Sequence, residues 1–299
     1  MNRFRAAPHH GLSPVYAALG LTTLLWSVNY SFAKMAVQEI DPFAVALVRV
    51  LVVTPLFFLA LARRRVGLLR PTWAELRAAL PLGLTGVLAN QVFFISGIRR
   101  TTPAHSSLVV ALLPVAVLVL ASLLLRERLT RLKITGVLLA FGGVAVISLR
   151  DGWGLSRETL AGDLLTLCGV CAFAYYTVAG KEVIPRFGVL RTTALVFLTG
   201  GVLMVPLVLP AALRQDWRSV SPRGWVALAY VVFIGTFLCY LLHYWALARI
   251  ESGKVAAFTY LQPVLAGAAS WMILGEAIQG NFILGGIAIL SGVYLVERG

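Results

Sequence analysis

The sequence predicts an all-α membrane protein of ten transmembrane helices. They form two inverted five-helix repeats over residues 1–150 and 151–299, with both termini cytoplasmic. Three observations predict this. Hydrophobic residues make up 59% of the chain and charged residues only 13%, too few to supply the polar surface of a soluble protein this size. Apolar runs of about 20 residues, long enough to cross a bilayer as helices, recur along the chain. Residues of the first half also reappear in the second at a constant offset of 149 positions.

The first run, 14–36, follows Arg3 and Arg5. It is too long for a signal-peptide core and no small-x-small cleavage site follows, so it reads as a retained helix. Runs at 42–62, 78–98, 103–125 and 132–149 complete the first half. Pro81 and Pro103 fall near span entrances, where proline is tolerated. The second half holds runs at 160–181, 190–212, 224–247, 253–274 and 281–296. The connecting loops are short and leave no separate soluble domain.

The net charge of +14 raises the question of nucleic acid, but the distribution answers it. With a cytoplasmic N-terminus, the inner segments carry seventeen of the 26 Lys and Arg residues, among them Arg63, Arg64 and Arg65, and the outer loops carry seven. This is the positive-inside bias. The basic residues face anionic lipid of the inner leaflet, so no nucleic-acid partner is expected and the bilayer is. Cys168 and Cys171 form a C-x-x-C within a predicted span. A metal or redox role needs partners and an aqueous face, so they read as small packing residues one turn apart, with no metal and no cofactor expected.

At offset 149, Gly86 pairs with Gly235, Pro114 with Pro263, Glu127 with Glu276, Gly136 with Gly285 and Gly143 with Gly292. Trp26 and Lys34 pair with Phe173 and Lys181 at offset 147, so a small indel separates the first two spans of each half from the rest. Five helices per copy is an odd number, so the copies enter the membrane from opposite sides, an architecture that gives a route to alternating access. From Pro114 to Glu127 is about 20 Å of helix, against a hydrocarbon half-thickness of about 15 Å. Pro114 and Pro263 therefore fall near the midplane and read as hinge or cavity-lining positions that kink their helices. Glu127 and Glu276 reach opposite interfaces, where they read as helix-end residues. The glycines of the fifth and tenth runs mark closely packed helices.

The segments LLWSVNYSFAKMAV (24–37) and DPFAVALVR (41–49), with the twin L-x-P…L-x-E…G segments, resemble the drug/metabolite transporter superfamily. The match is to its EamA-type ten-helix exporters, over essentially the whole chain. The resemblance implies a secondary carrier with a central cavity between the halves, exporting amino acids or related small metabolites across a bacterial inner membrane. Trp26, Asn29, Lys34 and Arg49 fall on its motif positions. Two positions depart from it: Ser27 stands where glycine is usual, and Gln262 where glutamate is frequent.

Polar groups at membrane depth need a wet cavity or a partner. Those near the predicted midplane are Trp26, Asn29 and Tyr30; Asn90, Gln91 and Phe94; Tyr175 and Tyr176; Tyr240, His243 and Tyr244; and Tyr260 and Gln262. Gln91 with Phe94, and Tyr240 with His243, are equivalent i, i+3 couples that lie on one helical face and are expected to line the cavity. Interhelical hydrogen bonding is the alternative use of such groups. Lys34 and Lys181 read as snorkelling to an interface. Arg49 reads first as pairing with Asp41 or Glu39, and second as attracting a substrate carboxylate.

All twelve acidic residues fall at loops or span ends, Asp163 coming closest to depth, and Gln262 does not titrate. Facilitated diffusion is therefore expected first, and histidine-dependent antiport through His243 or His105 second. H-E-x-x-H, G-x-S-x-G, paired intramembrane aspartates and a Walker A motif are absent from the sequence, which disfavours an intramembrane enzyme and direct use of ATP. A proton-coupled drug or metabolite exporter, a nucleotide-sugar carrier and a non-transporting receptor or scaffold are the rivals. The expected partner is a small-molecule substrate, and a monomer with an internal cavity needs no second copy.

Overall fold

The computed structural model describes residues 13–63, 70–124, 130–148, 157–275 and 280–298. All regular structure among them is helical. The first half contains α1 (Ser13–Glu39), α2 (Pro42–Arg63), α3 (Trp73–Arg100), α4 (Pro103–Val110), α5 (Leu113–Leu124) and α6 (Arg131–Ser148). The second contains α7 (Arg157–Phe187), α8 (Val189–Arg214), α9 (Pro222–Leu247), α10 (Ser252–Ala257), α11 (Gln262–Leu274) and α12 (Gly280–Arg298). Among the described residues, α2, α3, most of α7, α8 and α9 are long and apolar enough to cross a membrane by length and composition alone.

Two predicted runs are broken. The 103–125 run divides into α4 and α5 at Ala111–Leu112, and the 253–274 run into α10 and α11 through a 3-10 turn, Phe258–Leu261. Pro114 and Pro263 are each the second residue of the helix after the break. There the missing proline N–H belongs to a turn whose amides lack helical partners anyway. The prolines therefore start new half-helices rather than kinking continuous ones. Pro81, by contrast, is internal, because α3 starts five residues before the predicted run.

The element bounds recur at the sequence offset. α3, α4, α5 and α6 begin at Trp73, Pro103, Leu113 and Arg131; α9, α10, α11 and α12 begin at Pro222, Ser252, Gln262 and Gly280, each 149 residues on. Both long members widen into π-helix, over Leu84–Ala89 in α3 and Tyr230–Leu238 in α9, ending 149 residues apart. In these wide turns, threonine hydroxyls donate to backbone carbonyls: Thr85 to Pro81 O at 2.8 Å and Thr236 to Val231 O at 2.7 Å.

Helix ends are tied at two rims. At one, Thr72 caps α3 in a reciprocal box with Glu75, whose carboxylate is clamped by Arg191 at the start of α8. At the other, Ser221 caps α9 and donates both its backbone N–H (2.7 Å) and its hydroxyl (2.8 Å) to Glu39 at the end of α1. Those two bonds hold the Glu39 carboxyl below the usual carboxylate range.

Inside the bundle, hydroxyls turn back onto their own helices, as Ser27 does to Thr23 O at 2.7 Å. The outside carries bare apolar side chains, with Leu213 76% and Met272 77% exposed. A polar-seamed interior under an apolar exterior reverses the soluble pattern and suits lipid solvent. α6 and α12 pack along each other through glycine. A Cβ on Gly143 would lie 2.6 Å from Gly285 O, and one on Gly292 would lie 2.5 Å from Gly136 O.

Candidate functional site

Where the halves meet, side chains of both line a small, partly open cavity. α1 contributes Trp26, Asn29 and Tyr30, α2 contributes Arg49, and α3 contributes Asn90 and Phe94. The break before α5 adds Val110 and Leu113. From the second half come Phe173 on α7, Gly235 and Tyr240 on α9, and Thr259 and Gln262 at the α10–α11 break.

The two π-helical segments present glycine carbonyls to this wall. The Trp26 indole N–H donates to Gly235 O at 2.9 Å, and the Tyr240 hydroxyl donates to Gly86 O at 2.9 Å. A Cβ on Gly235 would sit 2.1 Å from Asn29 Oδ1, and one on Gly86 would sit 2.1 Å from the Tyr176 ring. Only glycine permits these approaches. Departures from α-helix of this kind are frequent at functional sites. Across the cavity, the Tyr30 hydroxyl donates to Gln262 Oε1 at 2.7 Å, joining the halves directly.

Aromatic rings back the polar groups. Trp26 stands edge-on to Phe173 at 5.8 Å and to Tyr240 at 6.2 Å, and Tyr30 edge-on to Phe94 at 5.7 Å. Such geometry fixes ring orientation as well as burying area. The result is a slot with aromatic walls, amide and hydroxyl edges and one guanidinium.

Of the residues singled out in the sequence, Trp26, Asn29, Tyr30, Asn90, Phe94, Tyr240 and Gln262 border the cavity. Gln91, Tyr176, His243 and Tyr260 are buried outside its lining. His243 lies behind Trp26, ring centroids 5.4 Å apart, and Tyr176 stacks on Tyr244 at 4.7 Å. Tyr260 packs with Ala111, Ala140 and Ile289. The i, i+3 couples thus divide: Phe94 and Tyr240 face the cavity, while Gln91 and His243 do not. Asn90 and Phe94 are about 40° apart around the helix, whereas Gln91 is about 100° from Asn90 and points elsewhere. Phe173 was legible as the offset partner of Trp26. Val110, Leu113 and Thr259 were not singled out, although at offset 149 Val110 pairs with Thr259 and Leu113 with Gln262. Glu127 and Glu276 lie outside the described residues, as does the side chain of His105.

Three edge residues differ from expectation. Lys34 crosses to the end of α3 and donates to the carbonyls of Ile98, Arg99 and Thr101 at 3.1, 3.0 and 2.8 Å. Lys181 likewise donates to Ile250 O beyond the end of α9. Both satisfy carbonyls at helix C-termini, where the dipole favours a cation, instead of snorkelling. Arg49 pairs with neither predicted acid. Asp41 lies 3.7 Å from Arg99, Glu39 is held by Ser221, and the Arg49 Nε donates to Thr236 Oγ1 at 2.8 Å. Cys168 and Cys171 are exposed on α7 rather than packed, and no metal-binding group of His, Cys, Asp and Glu occurs among the described residues.

The model of the EamA-like transporter family matches residues 14–149 and again 160–298. An uncharacterized transporter of Archaeoglobus fulgidus is 28% identical over 95% of this chain and 97% of its own length. A probable terminal-alkyne amino-acid exporter of Streptantibioticus cattleyicolor is 26% identical, covering 96% of this chain and 94% of its own. A probable amino-acid metabolite efflux pump of Salmonella typhimurium is 25% identical over 92% of each. A solved crystal structure superimposes with a TM-score of 0.75 over 95% of this chain and 97% of its own, at 20% identity, a likeness of fold.

Proposed function

The chain belongs to the EamA-like transporter family, and from that premise we propose that it is a secondary transporter exporting small metabolites, foremost amino acids with apolar or aromatic side chains, across the bacterial inner membrane. The observation that carries the reading is the cavity itself, lined by both halves and walled by aromatic rings with amide and hydroxyl edges. The rings suit an apolar side chain and the polar edges suit a backbone-like head. Two relatives named as amino-acid exporters support the same class.

We read residues 1–150 and 151–299 as inverted five-helix repeats with both termini cytoplasmic. The recurring element bounds and the two family matches support that reading. Alternating access then amounts to an exchange of conformations between the halves. The breaks before Pro114 and Pro263 are the hinges, since they interrupt the helical ladder at positions 149 residues apart, beside the cavity. The polar groups bordering the cavity are amides, hydroxyls and a guanidinium, which exchange no proton near neutral pH. That supports facilitated movement down the substrate gradient.

Counterflow into liposomes containing the purified chain tests this. Labelled leucine and phenylalanine are expected to accumulate against unlabelled amino acid inside, equally with and without a pH gradient. Accumulation driven by the pH gradient and lost in His243→Gln would replace facilitation by antiport. Exchange of no amino acid would remove the substrate class.

A further inference from the structure

We propose that the cavity reads both charged groups of an α-amino acid, its carboxylate with Arg49 and its ammonium with Asn29. The inference rests on the amino-acid reading above and names the groups that would enforce it.

Arg49 is 4% exposed, and beyond the bond from Nε to Thr236 its Nη1 has no hydrogen-bond partner among the described residues. A charged side chain at membrane depth is costly. Leaving part of it unpaired adds to that cost. The acids nearest in sequence, Glu39 and Asp41, are engaged at the rim. No acid borders the cavity to balance the guanidinium. A substrate anion would do so.

Asn29 supplies the complementary group. It is 5% exposed, and its Oδ1 accepts no hydrogen bond among the described residues. This oxygen lies against Gly235, and Arg49 is anchored on Thr236, the next residue. Consecutive Cα atoms are about 3.8 Å apart. An orphan donor and an orphan acceptor thus sit side by side over one peptide unit, both bordering the same cavity. An α-amino acid carries its acceptor and donor on a single carbon and meets both.

The remainder of the substrate has a place as well. A second, smaller lobe adjoins the cavity, sharing Asn90, Phe94 and Phe173 and extending to Val170 and Gly169. Its largely apolar wall is where the apolar side chain of the substrate would lie. The same arrangement disfavours cationic drug-like molecules, since the uncompensated guanidinium repels them.

The test is competition against labelled leucine in counterflow. Unlabelled leucine is compared with leucinamide and isopentylamine, which lack the carboxylate, and with 4-methylpentanoate, which lacks the amine. Each analogue is expected to compete about tenfold or more weakly than leucine, as loss of a hydrogen bond to a charged group implies. Arg49→Gln is expected to erase the preference for leucine over leucinamide, and Asn29→Ala the preference over 4-methylpentanoate. Arg49→Lys keeps the charge without the planar fork, so it weakens binding yet keeps the preference. Equal competition by the analogues on the unmodified chain overturns the proposal while leaving the transporter reading standing. So does an undiminished preference in Arg49→Gln. Absence of any leucine exchange by the unmodified chain overturns both.

Discussion

Gly235 is where the site is most sensitive to one added methyl group. Its carbonyl takes the Trp26 indole, its Cα carries the Asn29 amide, and its neighbour anchors Arg49. Gly235→Ala forces a Cβ to within 2.1 Å of Asn29 Oδ1, and overpacking of this kind costs about 1–3 kcal/mol. A thermal midpoint several degrees lower in detergent, with weakened counterflow, is the expected result. Gly20→Ala, on α1 with nothing within 4 Å, is expected to match or slightly exceed the parent. Much of this site was legible, because amides and aromatics at membrane depth must face water or a partner. The role of Arg49 was harder to read. Sequence proximity favoured Asp41 and Glu39, whereas those acids sit at the α1–α2 link at the rim and the Arg49 guanidinium reaches Thr236 of the other half. The π-helical turns left no signal beyond Gly86 and Gly235, since a backbone widening depends on what packs against it.

At the scale of elements, the α6–α12 seam and the helix caps carry the fold. Adjacent glycines on α6 separate packing from propensity. Gly143→Ala meets backbone of α12 at 2.6 Å, whereas Gly142→Ala meets nothing within 4 Å. The first is expected to lower the thermal midpoint and the second to leave it unchanged or raise it. Equal effects would mean that the seam is not close-packed in solution. At the opposite rim from Thr72, the Glu39 carboxyl is held below its usual range by Ser221, so its contribution is present above the unfolded glutamate value of about 4.5 and lost as pH falls through the lower folded value. The stability difference between the parent and Glu39→Gln is therefore expected to be largest near pH 7 and to shrink as pH falls through the lowered folded-state value. The helices themselves were readable from apolar run length, with most ends within three residues, though α3 starts five residues earlier and α7 ends six residues later than its run. The breaks before Pro114 and Pro263 were visible only as prolines. A proline both starts and bends helices, and tertiary packing decides which.

Over the whole molecule, the offset that relates Gly86 to Gly235 and Gly136 to Gly285 in sequence also relates the starts of α3–α6 to those of α9–α12. Such a repeat is legible because equivalent packing positions demand equivalent residues, glycine at seams and proline at breaks. Substrate identity is not legible in that way, because the groups proposed to read it, such as Arg49, are not shared by the two halves. The offset partner of Arg49 at 147 is Val196. On the alternating-access reading proposed above, one cavity would open to each side of the membrane in turn. The direct measurement uses a chain whose three cysteines are replaced and which carries Val110→Cys at the cavity wall. A membrane-impermeant thiol reagent is applied from outside to oriented vesicles and from inside to inverted ones. Labelling from both sides, slowed by leucine in each, is the predicted result. Labelling from one side only, unchanged by leucine, would contradict alternating access through this cavity.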